Sequence, residues 1–387
     1  MIICKEVGTL NKKHIIFYKI LRPLVAVFLK IRFGYKYQKA KNLPDNYIVL
    51  SNHATDYDPL LVGVSFSNQM YFVASEHIAR WKFVYKLIDF ILAPITRYKG
   101  TVATSTVVDV LRKVKKGANV CIFAEGDRTW DGVTRAIAPS TAKLIQNSGC
   151  GLVTYKLTGG YFVSPRWSNK LRRGPISGGP VNVYTKEDLK KMTTAEIYDI
   201  ITRDLYEDAY ARQLEKPMRY KSNAPAEGME NLLFICPNCG AHDTIHSSGD
   251  TVTCSMCDMA FTYDEYGMLS GLEFKTVREL SDWQNEQVLA DVACNVTYTV
   301  PEAVFSEVTN HQETLLGTGT LSISAEGIGC GDQRIPLNDI SDMALYGKRG
   351  IVFSAGKKYY EAKPAPGSNG LKFTLYYEAY KQSNNIK

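Results

Sequence analysis

The amino-terminal part of this sequence lacks a hydrophobic run able to cross a bilayer. Between His14 and Phe33, a segment rich in Ile, Leu, Val and Phe, the longest uncharged run is Pro23 to Leu29. A spanning helix needs about 20 apolar residues. The small-residue cleavage site of a signal peptide is missing as well. These absences argue against reading this segment as a membrane-spanning helix or as a signal peptide. A different absence lies further on: from Ser222 to Phe274 there is no Lys or Arg, while eight acids fall there, Glu227, Glu230, Asp243, Asp250, Asp258, Asp264, Glu265 and Glu273. Nucleic-acid affinity comes largely from cations neutralising phosphates, so this stretch excludes itself as a nucleic-acid reader. A disulfide framework is also lacking. Five of the nine cysteines (Cys4, Cys121, Cys150, Cys294, Cys330) are scattered, and Cys121 sits in an apolar run, as in a chain kept in a reducing cytosol.

What is present is ordinary globular composition, 45% hydrophobic and 22% charged over 387 residues, enough for two or three domains. The net charge of +7 is local. Residues 1–45 hold ten Lys or Arg against two Asp or Glu, a net of +8, and the remainder is near neutral. Read as a helix, the segment puts Lys12, Lys19, Arg22 and Lys30 in one narrow sector, with Pro23 as a kink. That pattern suits a helix lying in a membrane interface with its cations toward headgroups. Arg80-Trp81-Lys82-Phe83 through Ala93 is a second candidate, with Trp81 and Tyr85 at headgroup level. Amphipathic helices packed on a core would read the same way.

Two blocks carry chemistry. In Val49-Leu50-Ser51-Asn52-His53-Ala54-Thr55-Asp56-Tyr57-Asp58-Pro59, an apolar run delivers a histidine to its end and an aspartate follows five positions later. A histidine poised by a carboxylate is a general base near neutral pH. Helical spacing would pair His53 with Asp56. But Asp58 precedes proline, which suits an N-cap with Pro59 at the first helical position. Asp58 is then expected to fold back onto His53, leaving Asp56 to solvent. In the second block, Val120-Cys121-Ile122-Phe123-Ala124-Glu125-Gly126-Asp127-Arg128-Thr129, another strand-like run ends in a polar turn. Glu125 and Arg128 fall where open α/β sheets hold ligands. Gly126 allows close backbone approach, and Arg128 offers a fork for phosphate. Either block alone would fit a surface salt bridge.

The pairing of these blocks some seventy residues apart resembles the glycerolipid acyltransferases, the glycerol-3-phosphate and lysophosphatidic acid acyltransferases of the bacterial PlsC-like family, over roughly residues 15–215. The resemblance implies His53 and Asp58 as the catalytic pair, and Glu125, Gly126 and Arg128 as acceptor-binding residues. Ile95-Thr96-Arg97-Tyr98-Lys99-Gly100 matches the family's next block and implies Arg97 as a phosphate ligand. The chain departs from Phe-Pro-Glu-Gly-Thr-Arg-Ser by Ala124, Asp127 and Thr129, so that Asp127 brings a negative charge beside the phosphate site. In the fourth block Val153 is followed by Thr154 and Tyr155 where a proline is usual.

Strand-like runs at 47–51, 69–75, 118–124 and 151–157 alternate with helical stretches from Pro59, at 77–93, 103–116 and 139–147. Alternation of this kind predicts an α/β layered domain with a mostly parallel sheet over residues 36–215. Ser164 to Pro180 reads as a Gly/Pro loop whose Arg166, Lys170, Arg172 and Arg173 either help hold a phosphorylated substrate or form a solvated connector, and Thr193 to Gln213 as a closing helix. Residues 216–230 read as a linker. Cys236-Pro237-Asn238-Cys239 and Cys254-Ser255-Met256-Cys257 then have the spacing of a four-thiolate zinc site, which leaves no open position and is therefore structural: a zinc ribbon over 231–270. Residues 271–387 are β-rich, with strands followed by a helix from Gly370, an element order resembling the pleckstrin-homology-like fold.

The sequence thus points to an acyltransferase domain behind a basic membrane-interface segment (residues 1–35), on the cytoplasmic face of the cell membrane, peripheral or monotopic. Its partners would be membrane lipids and an acyl-CoA or acyl carrier protein thioester. The expected reaction acylates a lysophospholipid, lysophosphatidic acid foremost, in phospholipid synthesis. The alternatives are another lysolipid or hydroxyl acceptor, or a non-catalytic membrane adaptor carrying a zinc ribbon.

Overall fold

The computed structural model describes residues 12–76, 90, 93–101, 104–309 and 312–383. The chain divides into two compact units. One runs to Ser222 without residues 98–102 and 167–170. The other consists of those two short segments and everything from Asn223 onward.

The first unit is built on β1 (Lys36–Tyr37), β2 (Tyr47–Ser51), β3 (Met70–Ser75), β4 (Ile95–Arg97), β5 (Asn119–Phe123), β6 (Gly151–Thr158) and β7 (Ser177–Tyr184), in sheet order β1-β7-β6-β2-β5-β3-β4. The strands from β6 to β4 are mutually parallel. β7 runs antiparallel to β6, and β1 runs parallel to β7. Strands covered on both faces read as unbroken apolar runs, and every residue of β2 is buried. Helices Thr104–Lys115, Ser140–Ser148 and Thr194–Leu205 lay Val110, Val114, Ile145, Ile197 and Ile201 against Ile48, Leu50, Val120 and Leu152. Burying each such side chain contributes roughly 1.5–3 kcal/mol.

The expected parallel sheet is present, with differences. β4 and β7 were not expected, and β7 occupies part of the supposed Gly/Pro loop. The closing helix is two helices, Thr194–Leu205 and Ala209–Glu215, each started by a side-chain cap, from Thr193 and Asp208. The helical stretch expected over 77–93 lies outside the described residues except for Phe90 and Ala93. The stretch expected as a linker is packed: Tyr220 stacks on Phe162 at 5.0 Å, and Ala226 and Met229 are buried.

Helix α1 (Lys12–Phe33) continues through Pro23. It buries His14, Tyr18, Leu29 and Phe33, and the Tyr18 hydroxyl donates to the Gly63 carbonyl at 2.7 Å. Of the cations expected to point together toward headgroups, Lys12, Lys19 and Lys30 are exposed, and an apolar row, Ile16, Ile20, Leu24, Val27 and Ile31, is exposed as well, with Ile31 81% exposed. Arg22 turns inward, donating to the Val64 carbonyl at 3.3 Å. Among the described residues no helix is long and apolar enough to cross a membrane.

In the second unit, a small antiparallel sheet of order β11-β10-β9-β8 joins β8 (Ile245–Ser248), β9 (Thr251–Cys254), β10 (Ala260–Tyr263) and β11 (Leu269–Ser270). Helix Val277–Ala293 follows, begun by a capping box in which Thr276 and Glu279 satisfy each other's amides. Then come β12 (Tyr298–Thr309), β13 (Gln312–Ser324), β14 (Gly327–Cys330), β15 (Gln333–Pro336), β16 (Ile340–Tyr346), β17 (Gly350–Ala355) and β18 (Lys358–Pro364), and a last helix, Leu371–Ser383. The sheet order is β15-β14-β13-β12-β18-β17-β16, antiparallel throughout. Phe305, Phe353 and Tyr360 pack against one another in it, with ring centres 5.3–6.1 Å apart. The turn between the cysteine knuckles is tied to these elements. Asp243, at a left-handed φ of 58°, accepts from the Tyr298 hydroxyl and from Lys372. Lys372 is fully buried and lies 4.0 Å from the centre of the Tyr298 ring.

Hairpin β16–β17 holds the unit's two short outlying segments. Ser354 donates to the Gly100 carbonyl at 2.6 Å. Lys348 donates to the carbonyls of Trp167 at 3.1 Å and Ser168 at 2.6 Å. A Cβ on Gly100 would come within 2.6 Å of the Val352 carbonyl oxygen, and Gly100 is left-handed, so only glycine fits there.

Candidate active site and metal centre

β2 and β5 are adjacent and parallel, with Ser51 in register with Phe123. Their two turns therefore leave the same carboxyl-terminal edge side by side. Asn52 fixes the first turn to β6: its side chain accepts from Leu157 N at 2.8 Å and donates to Leu157 O at 2.9 Å. The His53 ring stacks on Phe123 with centroids 4.4 Å apart, and His53 O accepts from Thr129 N at 3.1 Å.

Asp58 does fold back onto His53, with Oδ2 at 2.8 Å from Nδ1. It is not the N-cap. Tyr57 holds that position, and Asp58 is the first residue of helix α2 (Asp58–Gly63). The physical reason is that its carboxylate is committed backward. Oδ2 also accepts from Ala54 N at 2.7 Å and Thr55 N at 3.0 Å, and Oδ1 accepts from the Thr55 hydroxyl at 2.6 Å. With Asp58 fully buried and His53 19% exposed, the ring is held through Nδ1, and Nε2 is the ring nitrogen that Asp58 does not engage.

Glu125 is buried, and both its oxygens are used: Oε1 accepts from His53 N and Oε2 from Arg135 N, each at 2.6 Å. This side chain positions the histidine turn, a role the sequence reading did not assign. Burial pushes Glu125 up to about 8, outweighing the two N–H donors that favour its ionised form. Gly126, at φ 73°, closes the turn with its N–H on Phe123 O at 3.1 Å.

Arg128 meets Asp56, Nε to Oδ1 at 3.3 Å. Asp56 is 78% exposed but paired, not left to solvent as expected. Asp127 accepts from Arg128 N at 3.0 Å and from Arg166 Nη1 at 2.6 Å. Arg166, expected on a solvated or substrate-facing loop, is buried at 3% exposure, donates to Arg128 O at 3.0 Å and lies 4.5 Å from the Trp130 ring centre. The signal for this partnership was the unexplained acid at 127, which called for a cation. Arg97 ends β4 at the sheet edge, three strands from β2, or roughly 14 Å at ordinary strand spacing. His53, Asp58, Glu125 and Arg128 come together; Arg97 stands apart from them.

The four cysteines expected to bind metal converge, their sulfurs all within 4.8 Å of one another. Cys236 and Cys257 are 3.7 Å apart and Cys239 and Cys254 3.9 Å. A disulfide needs about 2.0 Å. A tetrahedron with metal–sulfur bonds of about 2.3 Å has edges near 3.8 Å, so the set fits one zinc ion. Met256 N and the Asn238 amide each point to a cysteine sulfur at 3.4 Å, stabilising thiolates.

Residues 34–158 match the family described as Acyltransferase. The sequence is 24% identical over 130 residues to the 1-acyl-sn-glycerol-3-phosphate acyltransferase of Borreliella burgdorferi, an alignment covering 32% of this chain and 52% of that protein. The chain thus spans about half the length of the curated relative it matches. The crystal structure of the 1-acyl-sn-glycerophosphate (LPA) acyltransferase PlsC from Thermotoga maritima aligns with a TM-score of 0.39 at 17% identity, covering 49% of this chain and 80% of that one.

Two outcomes follow from this geometry. Glu125 is protonated more readily in the folded chain than in the unfolded one, where it titrates in the ordinary carboxylate range. Its contribution to stability is present below about pH 4.5 and lost as pH rises through about 8. Urea midpoints should fall across that window, and Glu125→Gln should remove that part of the slope; parallel profiles would refute the assignment. For the metal centre, elemental analysis of the full chain should find one zinc, lost on replacing Cys236 and Cys239 together by serine.

Proposed function

We propose that the protein, whose residues 34–158 match the acyltransferase family, is an O-acyltransferase that moves an acyl chain from a thioester of coenzyme A or acyl carrier protein to the free hydroxyl of a lysophospholipid, lysophosphatidic acid foremost. The observation that carries this reading is the His53–Asp58 contact at 2.8 Å, on a turn pinned by Glu125. His53 Nε2 takes the proton of the acceptor hydroxyl as its oxygen attacks the thioester carbonyl. The tetrahedral intermediate collapses, the C–S bond breaks, and the thiolate receives that proton. Asp58 keeps the proton on Nδ1 and stabilises the imidazolium between the two transfers. No covalent acyl-enzyme is required, because the donor is already activated. Arg128 binds the acceptor phosphate by exchanging its exposed Asp56 partner for it. Arg97 is a second phosphate contact for an extended acceptor, and Glu125 acts chiefly as the strut of the turn.

In this reading residues 36–215 carry the chemistry. The four cysteines around zinc stabilise a ribbon too small to hold a core of its own. The β-rich region, an antiparallel sheet of strand order 4-3-2-1-7-6-5 with a closing helix, is read as a pleckstrin-homology-like domain on that element order. The outward apolar row of α1, flanked by exposed Lys12, Lys13, Lys19 and Lys30, supports seating on an anionic membrane by its hydrophobic side, with the lysines at headgroup level. Trp81 and Tyr85 lie outside the described residues.

His53→Ala should lower kcat about 10²–10⁴-fold. Asp58→Asn should lower turnover while leaving the fold intact, because an asparagine oxygen can keep the three donors on Oδ2 and its amide can donate to Thr55. Wild-type rates in purified His53→Ala protein would sink the mechanism. Arg128→Ala should weaken phosphorylated acceptors by roughly 1.5–3 kcal/mol and spare the donor.

For the membrane, Ile20→Asp with Leu24→Asp should abolish flotation with anionic liposomes. This test is cleaner than deleting residues 1–33, which would strip Tyr18 from Gly63. Undiminished flotation would assign anchoring elsewhere.

A further inference from the structure

The acid at position 127 sits badly with an anion site one residue away. Arg128 is the cation proposed to meet the acceptor phosphate, and Asp127 precedes it with a carboxylate of opposite effect. The geometry removes the conflict. One Asp127 oxygen accepts from Arg128 N at 3.0 Å, so the acid fixes the backbone that carries Arg128. The other oxygen lies 2.6 Å from Arg166 Nη1, which also donates to Arg128 O at 3.0 Å. Arg166 therefore grips the peptide units on both sides of the Arg128 Cα, one directly and one through Asp127. Its guanidinium is 3% exposed and lies 4.5 Å from the centre of the Trp130 ring, too enclosed to reach a ligand itself. A carboxylate bonded in this way to a buried guanidinium repels a neighbouring anion little; the same carboxylate alone in a partly buried turn would repel it strongly.

We propose that Arg166 is a positioning residue for the acceptor: it cancels the Asp127 charge and sets the Arg128 backbone, so that a phosphomonoester can dock on Arg128. This rests on the acyltransferase reading above and extends it to a residue outside the matched segment, which ends at residue 158. It also predicts a charge-specific rescue, which a purely structural role would not produce.

The test uses the purified full chain, with lysophosphatidic acid and monoacylglycerol as acceptors and one acyl-CoA donor. Arg166→Met should raise KM for lysophosphatidic acid about tenfold, leaving KM for monoacylglycerol and for the donor unchanged. Adding Asp127→Asn removes the uncancelled charge yet keeps an oxygen for Arg128 N, and should return KM for lysophosphatidic acid to within about threefold of wild type. Arg166→Lys, which keeps the charge, should stay within about threefold as well, and serves if Arg166→Met does not fold. A double variant as impaired as Arg166→Met, equal losses with both acceptors, or a lysine variant with a tenfold higher KM for lysophosphatidic acid would each overturn the proposal. Those results leave the acyltransferase reading standing. A wild-type chain that acylates neither acceptor removes the reading and this inference with it.

Discussion

One buried carboxyl group organises the candidate site. Glu125 accepts one amide from the turn after β2 and another from Arg135, and thereby converts the adjacency of two parallel strands into a fixed relation between two turns. Without it, the backbone N–H of His53 would need another partner in a place with little water. The constraint also fixes what Asp58 can do. Once the His53 peptide is set, the Asp58 carboxylate collects the next two amides and the imidazole together. The histidine is thus oriented by acids on both sides: one on its backbone, one on its ring. Such double support is how a short loop reaches the rigidity that proton transfer demands.

Features that are local in sequence were readable. β2, β5 and β6 are apolar runs because a parallel sheet is covered on both faces. The cysteine knuckles announce themselves by spacing, and His53 with Asp58 by a proline that marks the first turn of the helix and keeps residues 53–56 out of it. β7 was hidden because Ser-Gly-Gly-Pro-Val-Asn-Val-Tyr opposes strand propensity. It survives because Pro180 falls where the β6–β7 register shifts and its missing N–H is tolerated. Helix Val277–Ala293 carried a legible signal in Thr276 and Glu279. Its apolar stripe is diluted by a buried Gln284, whose amide serves Leu232, Phe234 and Ile235. Asp127 called for a cation, but which one was illegible, because Arg166 is 39 positions away and no local pattern links the two.

The outward face of α1 carries more than its lysines. The lysines gave the helix a polar sector, and a polar sector is ordinarily the solvent side. Here Tyr18, Leu29 and Phe33 take the inward positions, and the residues left over are mostly aliphatic. A helix with two apolar faces has one too many for water.

The second unit is not one continuous stretch of chain, and this bears on how the protein is made. The Ser354–Gly100 contact joins residues 254 positions apart, and Lys348 reaches back 180 positions to Ser168. At ordinary elongation rates of about 5–20 residues per second, Gly100 leaves the ribosome roughly 13–50 seconds before its partner exists. The nascent chain must carry two unclasped loops for that interval. A chain stopped at Ser222 would carry them indefinitely, so shortened versions of this protein should depend more on chaperones than their intact first sheet suggests.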